Sequence, residues 1–210
     1  MDLYTKNIGK TFSGVNVLRK VDFNLEPGEV HALVGENGAG KSTFAKILSG
    51  VYTPTEGEIF LDEKKIQIAS PIAAQKNGIS LIHQEPQSFS HLSVAENIFM
   101  GHMDGSNFSR VKWNDINKSS EKILLSIGLK INPKNIMEGL SIADQQMIEI
   151  AGALSKNSKI LIMDEPTSPL TPNEVGKLFD IVNQLKNQGM AIIFISHRLE
   201  EIRAIADRVT

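Results

Sequence analysis

Gly35-Glu36-Asn37-Gly38-Ala39-Gly40-Lys41-Ser42-Thr43 follows directly on the apolar run Val30-His31-Ala32-Leu33-Val34, and its reading decides the fold. The stretch fits G-x-x-x-x-G-K-[ST], with Gly35, Gly40, Lys41 and Ser42 in the fixed places. Thr43 to Ser49, ahead of Gly50, reads as a short helix, so the order is strand, glycine-rich loop, helix. Three glycines within six residues free the backbone to turn successive N–H groups inward. The helix start adds unpaired amides and the positive end of its dipole, which together make a cradle for a phosphate chain. Gly35, Asn37, Gly38, Gly40, Lys41, Ser42 and Thr43 are expected to line it. Lys41 would be the point charge on the β- and γ-phosphates and the Ser42 hydroxyl a ligand of the Mg²⁺ that bridges them. The stretch predicts a nucleoside triphosphate.

The composition agrees with a soluble globular chain: 210 residues, 41% hydrophobic, 22% charged, net charge −2. That length supports one sizeable core and a smaller appended unit. No charge excess points to nucleic acid. No apolar run approaches the ~18–20 residues that cross a bilayer, so a membrane role runs through a partner. The N-terminus carries no basic-then-apolar signal segment. Zero cysteines exclude disulfides and thiolate metal sites, which fits a reducing, cytoplasmic compartment.

Leu3–Phe12 and Val17–Leu25 read as an antiparallel pair leading through the turn at Glu26-Pro27-Gly28-Glu29 into Val30. Glu58–Leu61 and Lys65–Ile68 read as further strands, Ser70-Pro71 opens a helix closed by Asn77-Gly78, and Ile79–His83 is a short buried strand. From about residue 85 to 157 the signals are helical. Ser93-Val94-Ala95-Glu96 is a capping box, Asn114–Ile127 has helical apolar spacing, Ser141 opens a third helix, and Asp104–Ser109 is the most loop-like part. Lys159–Glu165, a helix behind the capping box Thr171-Pro172-Asn173-Glu174, Met190–Ser196 and a helix over Leu199–Ala206 restore the α/β pattern. A new strand begins near Asp207. The prediction is an α/β fold with a mainly parallel central sheet, an N-terminal antiparallel β subdomain and an inserted helical subdomain. Residues 1–84 and 158–210 form the nucleotide-binding core and about 85–157 the helical part.

Hydrolysis of a triphosphate needs a cradle, a metal, a residue for the attacking water and a contact to the γ-phosphate. Asp164 and Glu165 close an apolar strand at the sheet edge where open α/β sheets bind ligands. Asp164 is the candidate for the Mg²⁺ shell and Glu165 for the water. Gln84 and His197 close two other apolar strands at the same edge. His197 is placed to hydrogen-bond the γ-phosphate, and Gln84 to touch Mg²⁺ or the water.

The set GENGAGKST, Gln84, LSIADQQ at Leu140–Gln146, ILIMDEPTS at Ile160–Ser168 and SHR at Ser196–Arg198 resembles, in order and spacing, the ATP-binding cassette of ABC transporters, over essentially the whole chain. The resemblance implies ATP as the nucleotide, Phe12 as the aromatic stacked on adenine, Gln84 as the Q-loop residue, Glu165 as catalytic base and His197 as switch histidine. Ser141 is similar to the signature serine, which in the family contacts the ATP of a facing cassette. Ser168–Thr171 occupies the D-loop position, and Pro169 removes one N–H there.

The signature departs from the family pattern. Ile142, Ala143 and Asp144 stand where the family has two glycines and a glutamine. A β-branched residue does not readily take positive φ, and Asp144 sets a negative charge near an anion, so this signature is expected to close weakly. LSIADQQ, DEPTSPLT and SHRLEEI look like the first cassette of double-cassette carbohydrate importers of the ribose and galactose type, with a leaning toward the autoinducer-2 branch. The resemblance implies an N-terminal piece of a longer chain, peripheral on the cytoplasmic face of the membrane. It further implies transmembrane permease subunits, a second cassette, and indirectly a periplasmic or extracellular sugar-binding protein as partners, and no nucleic acid. The competing expectation is a soluble cassette ATPase acting on ribosomes. A DNA-repair type would carry a long coiled coil between loop and signature, and a P-loop kinase would leave Gln84, Ser141 and His197 without roles.

Overall fold

The computed structural model describes residues 1–101 and 111–210; Asp104–Ser109, read from sequence as a loop, lies outside the described residues. The first strands, β1 (Leu3–Phe12) and β2 (Val15–Leu25), form a hairpin. Its turn residues, Ser13 and Gly14, both take positive φ, 46° and 84°, as a two-residue connection matched to strand twist requires. The next strand, β3 (Val30–Leu33), feeds the glycine-rich loop, and α1 (Lys41–Leu48) leaves it. Then follow β4 (Glu56–Leu61), β5 (Lys64–Ile66), α2 (Pro71–Lys76) and β6 (Ile79–Ile82). Three helices come next, α3 (Val94–Phe99), α4 (Trp113–Ser126) and α5 (Ile142–Ser155). The chain ends through β7 (Ile160–Asp164), α6 (Pro172–Asn187), β8 (Ala191–Ile195), α7 (Leu199–Ile205) and β9 (Arg208–Val209).

These strands make two sheets. One is antiparallel, in the order β2-β1-β4-β5; the other runs β6-β7-β8-β3-β9 with every pairing parallel. The unbroken apolar runs of β7 and β8 follow from burial on both faces. Leu161, Met163, Ile192 and Phe194 pack with residues of α5 and α6. Their alternates Ile160, Ile162, Ala191, Ile193 and Ile195 pack with Phe44, Ile47 and Leu48 of α1 and with the antiparallel sheet.

Element boundaries shift where pairing or caps override side-chain pattern. The first helix begins at Lys41, not Thr43, because Gly40 at φ 99° is its N-cap, so Lys41 and Ser42 sit in the first turn. β2 and β4 each start two residues earlier than their hydrophobic alternation, held by the pairs Phe12↔Val15 and Gly9↔Glu56. The capping boxes at Ser93/Glu96 and Thr171/Glu174 both form, and Ser70 and Ser141 both cap their helices.

One core residue breaks the pattern. Gln146 on α5 is fully buried, and neither its amide oxygen nor its nitrogen has a hydrogen-bond partner among the described residues. A buried amide without partners costs about 1–3 kcal/mol. Gln146→Met keeps the volume and removes the two polar atoms, so it is expected to raise the thermal midpoint, measured by calorimetry, by an amount equivalent to at least about 1 kcal/mol.

Candidate functional site

All strands of the parallel sheet point one way, so their C-terminal ends share an edge. Gly35 follows β3 by two residues, Gln84 follows β6 by two, Glu165 follows β7 by one and His197 follows β8 by two. Asp164 closes β7 itself, opposite Ile195. Sequence positions far apart thus reach one line.

The glycine-rich loop turns through Gly38 and Gly40, at φ 85° and 99°. A Cβ on Gly40 would also stand 2.5 Å from Leu18 Cδ2 and 3.2 Å from the Val17 carbonyl, so that glycine packs the loop against β2. Gly35 does not take positive φ; its part is close approach, with Ala39 Cβ 3.3 Å from where its own Cβ would be. Lys41 Nζ lies folded over the loop and donates to the Gly35 and Glu36 carbonyls at 2.7 and 3.0 Å. Asn37 and Gly38 are exposed at the loop's tip, and Thr43 is half-buried in the first turn of α1.

Ser42 Oγ donates to Asp164 Oδ1 at 3.0 Å, joining two of the three predicted metal-binding side chains across 122 positions of sequence. Burial pushes the Asp164 carboxyl above the ordinary carboxylate value, against the opposing pull of the Ser42 hydroxyl. Hard oxygen donors, one of them a carboxylate short of compensating charge, fit Mg²⁺. Among the described residues no group of three or more His, Cys, Asp or Glu side chains forms a metal cluster.

Glu165 takes positive φ, 49°, uncommon for a residue with a Cβ, while its N–H donates to Ile195 O at 3.0 Å. Its Oε2 lies 3.4 Å from His197 Nδ1, an ion pair when the imidazole is protonated. Gln84 is exposed in the bend after β6, brought to this edge by topology. Its neighbour His83 couples to Asp164, and burial lowers the His83 imidazole below its usual value in spite of that carboxylate. Phe12, at the end of β1, meets Tyr52 edge-on with ring centroids 5.1 Å apart, and Lys10 Nζ lies 5.0 Å from the Phe12 ring. Tyr52 escaped the sequence reading because it sits in an irregular segment after α1.

Ser141 stands apart from this cluster, at the N-terminus of α5. Its hydroxyl donates to Asp144 Oδ2 at 2.9 Å and accepts from the Asp144 N–H at 3.1 Å. Ile142 is half exposed beside it. The serine is therefore closed on its own helix. One residue further along, Gln145 accepts from Ser88 at 2.9 Å, which ties the stretch after Gln84 to the start of α5.

The family profile described as ABC transporter matches residues 18–168. The chain belongs to the ABC transporter family. The Ribose import ATP-binding protein RbsA of Clostridium tetani is 49% identical over 208 residues, 99% of this chain and 41% of that protein. A Putative ribose/galactose/methyl galactoside import ATP-binding protein of Agrobacterium fabrum is 48% identical with the same coverage. The chain thus spans about two-fifths of the length of the curated relatives it matches. Among solved structures, an ATP-binding cassette of an ABC transporter in its ADP conformation superposes with a TM-score of 0.88 at 27% identity, covering 100% of this chain and 86% of that one. A nucleotide-free cassette gives 0.86 at 28%, covering 100% and 87%. The predicted α/β cassette architecture is the observed one. No helix among the described residues is long and apolar enough to cross a membrane.

The cassette has a second polar centre that the sequence reading missed. A cavity of about 250 Å³ lies between the end of β6 and α5, lined by His83, Gln87, Ser88, Phe89, Glu149 and Lys156 among others. Glu149 Oε2 is buried there without a hydrogen-bond partner among the described residues, and burial pushes the carboxyl up to about 8, against the His83 amide and the Lys156 charge. The signal was a lone carboxylate inside the apolar run Met147–Ala153. With its carboxyl pushed up to about 8, the folded protein keeps this proton where an unfolded chain, with the ordinary value near 4.5, has released it. Stability therefore falls as pH rises between those values and levels off above. Glu149→Gln is expected to melt several degrees above the parent at pH 8.5 and nearly level with it at pH 4.5, by calorimetry at both.

Proposed function

We propose that this chain is the first nucleotide-binding cassette of a two-cassette ATPase that drives import of a sugar or sugar-like molecule through a membrane. The observation that carries the proposal is the convergence of Ser42, Asp164, Glu165 and His197 at one sheet edge, directly beyond the glycine-rich loop. The names of the import relatives support the sugar, and their length, of which the chain spans about two-fifths, leaves room for a second cassette.

On this reading the amides of Gly38–Thr43 and Lys41 bind the β- and γ-phosphates of ATP, and Phe12 stacks on the adenine. Ser42 and Asp164, with Gln84, would hold Mg²⁺, and the ion would supply positive charge against the phosphates. Glu165 holds and deprotonates the attacking water, and His197 holds the γ-phosphate with one ring nitrogen while the other faces Glu165. Ser141 meets the nucleotide of the facing cassette. Permease subunits dock near Gln84 and the helices α3–α5, which puts the chain on the cytoplasmic face of the membrane, with the extracytoplasmic sugar-binding protein reached through them. The division at residues 84/85 and 157/158 separates the nucleotide-binding core from that helical part. Action on ribosomes has no observation in its favour.

The decisive measurement follows ATP binding, Mg²⁺-dependent turnover and molecular mass of this chain beside its Lys41→Ala and Glu165→Gln variants. ATP binding that is lost in Lys41→Ala, with a monomeric and nearly inactive chain even as Glu165→Gln, is expected. Brisk hydrolysis by an ATP-induced homodimer of this chain would replace the two-cassette reading with a self-sufficient one.

A further inference from the structure

Glu201, on the first turn of α7, is a carboxylate only 7% exposed, beside an exposed neighbour Glu200. It sits three residues after the N-cap Arg198, where a glutamate ordinarily turns back to the cap's own N–H. It does not do so here. Its Oε2 accepts from Thr167 Oγ1 at 2.8 Å and from Ser196 Oγ at 2.6 Å, and its Oε1 from Arg198 Nη1 at 3.2 Å. The Ser196 hydroxyl in turn accepts from the Arg198 N–H at 3.0 Å. Thr167 and Ser196 are each 2% exposed.

Thr167 lies two residues beyond Glu165 on the β7 loop, and Ser196 immediately precedes His197 on the β8 loop. One buried carboxylate thus grips both loops that carry the Glu165–His197 pair. We propose that Glu201 is a positioning residue that sets Glu165 and His197 at their working separation. Burying a carboxylate is costly unless donors satisfy it, and here three side-chain donors from two loops do. The left-handed backbone of Glu165 is a conformation that persists only where its surroundings over-determine it, and this node is part of that constraint. The inference rests on the catalytic roles given above to Glu165 and His197.

The test uses the whole natural chain that carries these residues, with Glu201→Gln, Glu201→Ala, Thr167→Val and Ser196→Ala, each beside Glu165→Gln. ATP affinity, KM, kcat, thermal midpoint and the NMR titration of the His197 imidazole are read for each. Misplacement of catalytic groups by a fraction of an ångström lowers kcat on the order of tenfold to a hundredfold, and ATP affinity and KM stay within about twofold. Glu201→Gln retains more activity than Glu201→Ala, because its amide oxygen still accepts from both hydroxyls. The His197 titration shifts in Glu201→Ala as Glu165 moves relative to the ring. Thr167→Val and Ser196→Ala with parental kcat and an unmoved His197 titration overturn the proposal, as does a kcat loss that merely tracks loss of folded protein. If Glu165→Gln itself hydrolyses ATP at the parental rate, the catalytic assignment fails instead. The His197 titration still decides the positioning claim in that case.

Discussion

Parallel pairing of buried strands is the constraint on which this structure depends. Because β6, β7, β8 and β3 run in one direction and in fixed register, Gln84, Glu165, His197 and Gly35 leave the sheet at one edge. The register is held by packing on both faces. Phe194 is fully buried toward α5 and α6, while Ile193 and Ile195 are buried toward α1. A slip of one residue would exchange those faces and put the largest side chain of β8 into the wrong cluster. The site therefore inherits its precision from the hydrophobic core.

Four carboxylates near that edge are compensated to different degrees, and the differences sort their roles. Glu201 has three side-chain donors and is saturated. Glu165 faces a partly exposed imidazole, a partner able to gain or lose its proton. Asp164 has one hydroxyl for a half-buried carboxyl, which leaves it the group with most to gain from a cation. Glu149 has an oxygen with no hydrogen-bond partner among the described residues, and burial pushes its carboxyl up to about 8. Electrostatic need falls on the residue that the Mg²⁺ reading requires, and saturation falls on the residue that only has to hold still.

Most of the fold was legible because its punctuation is local. Ser70-Pro71, Ser93/Glu96 and Thr171-Pro172/Glu174 each announce a helix start through hydrogen bonds within four residues, and the glycine-rich loop announces the central strand and helix together. What sequence could not carry was contact across long separations. Asp164 and Ser42 were each named, yet their 3.0 Å bond needed the sheet order to bring them together. Glu201 reads in sequence as one half of a polar Glu-Glu pair on a short helix, and only folding turns it inward to Thr167. Gln146 was legible as part of the signature stretch but not as a buried residue, since its neighbours Gln145 and Asp144 are half-exposed. The helix start at Lys41 was missed by two residues because the cap is made by backbone geometry at Gly40, with no side-chain signal.

On the proposed function, the two ends of this cassette that would meet phosphate are unequal, and the inequality follows from who already holds each donor. Lys41 is held by two neutral carbonyls, which a phosphate outcompetes because it adds the attraction of opposite charges to the hydrogen bond. The Ser141 hydroxyl already donates to a carboxylate, so a phosphate that takes it gains a bond of the same kind as the one broken. What remains is repulsion between Asp144 and the phosphate, about 1 kcal/mol in water at 4 Å and about 4 kcal/mol at an effective dielectric near 20. The exchange at Ser141 thus yields no net closing energy, whereas the one at Lys41 does. On the proposed function a chain built this way would hold its own nucleotide well and close weakly over another, the behaviour expected of one half of an asymmetric pair.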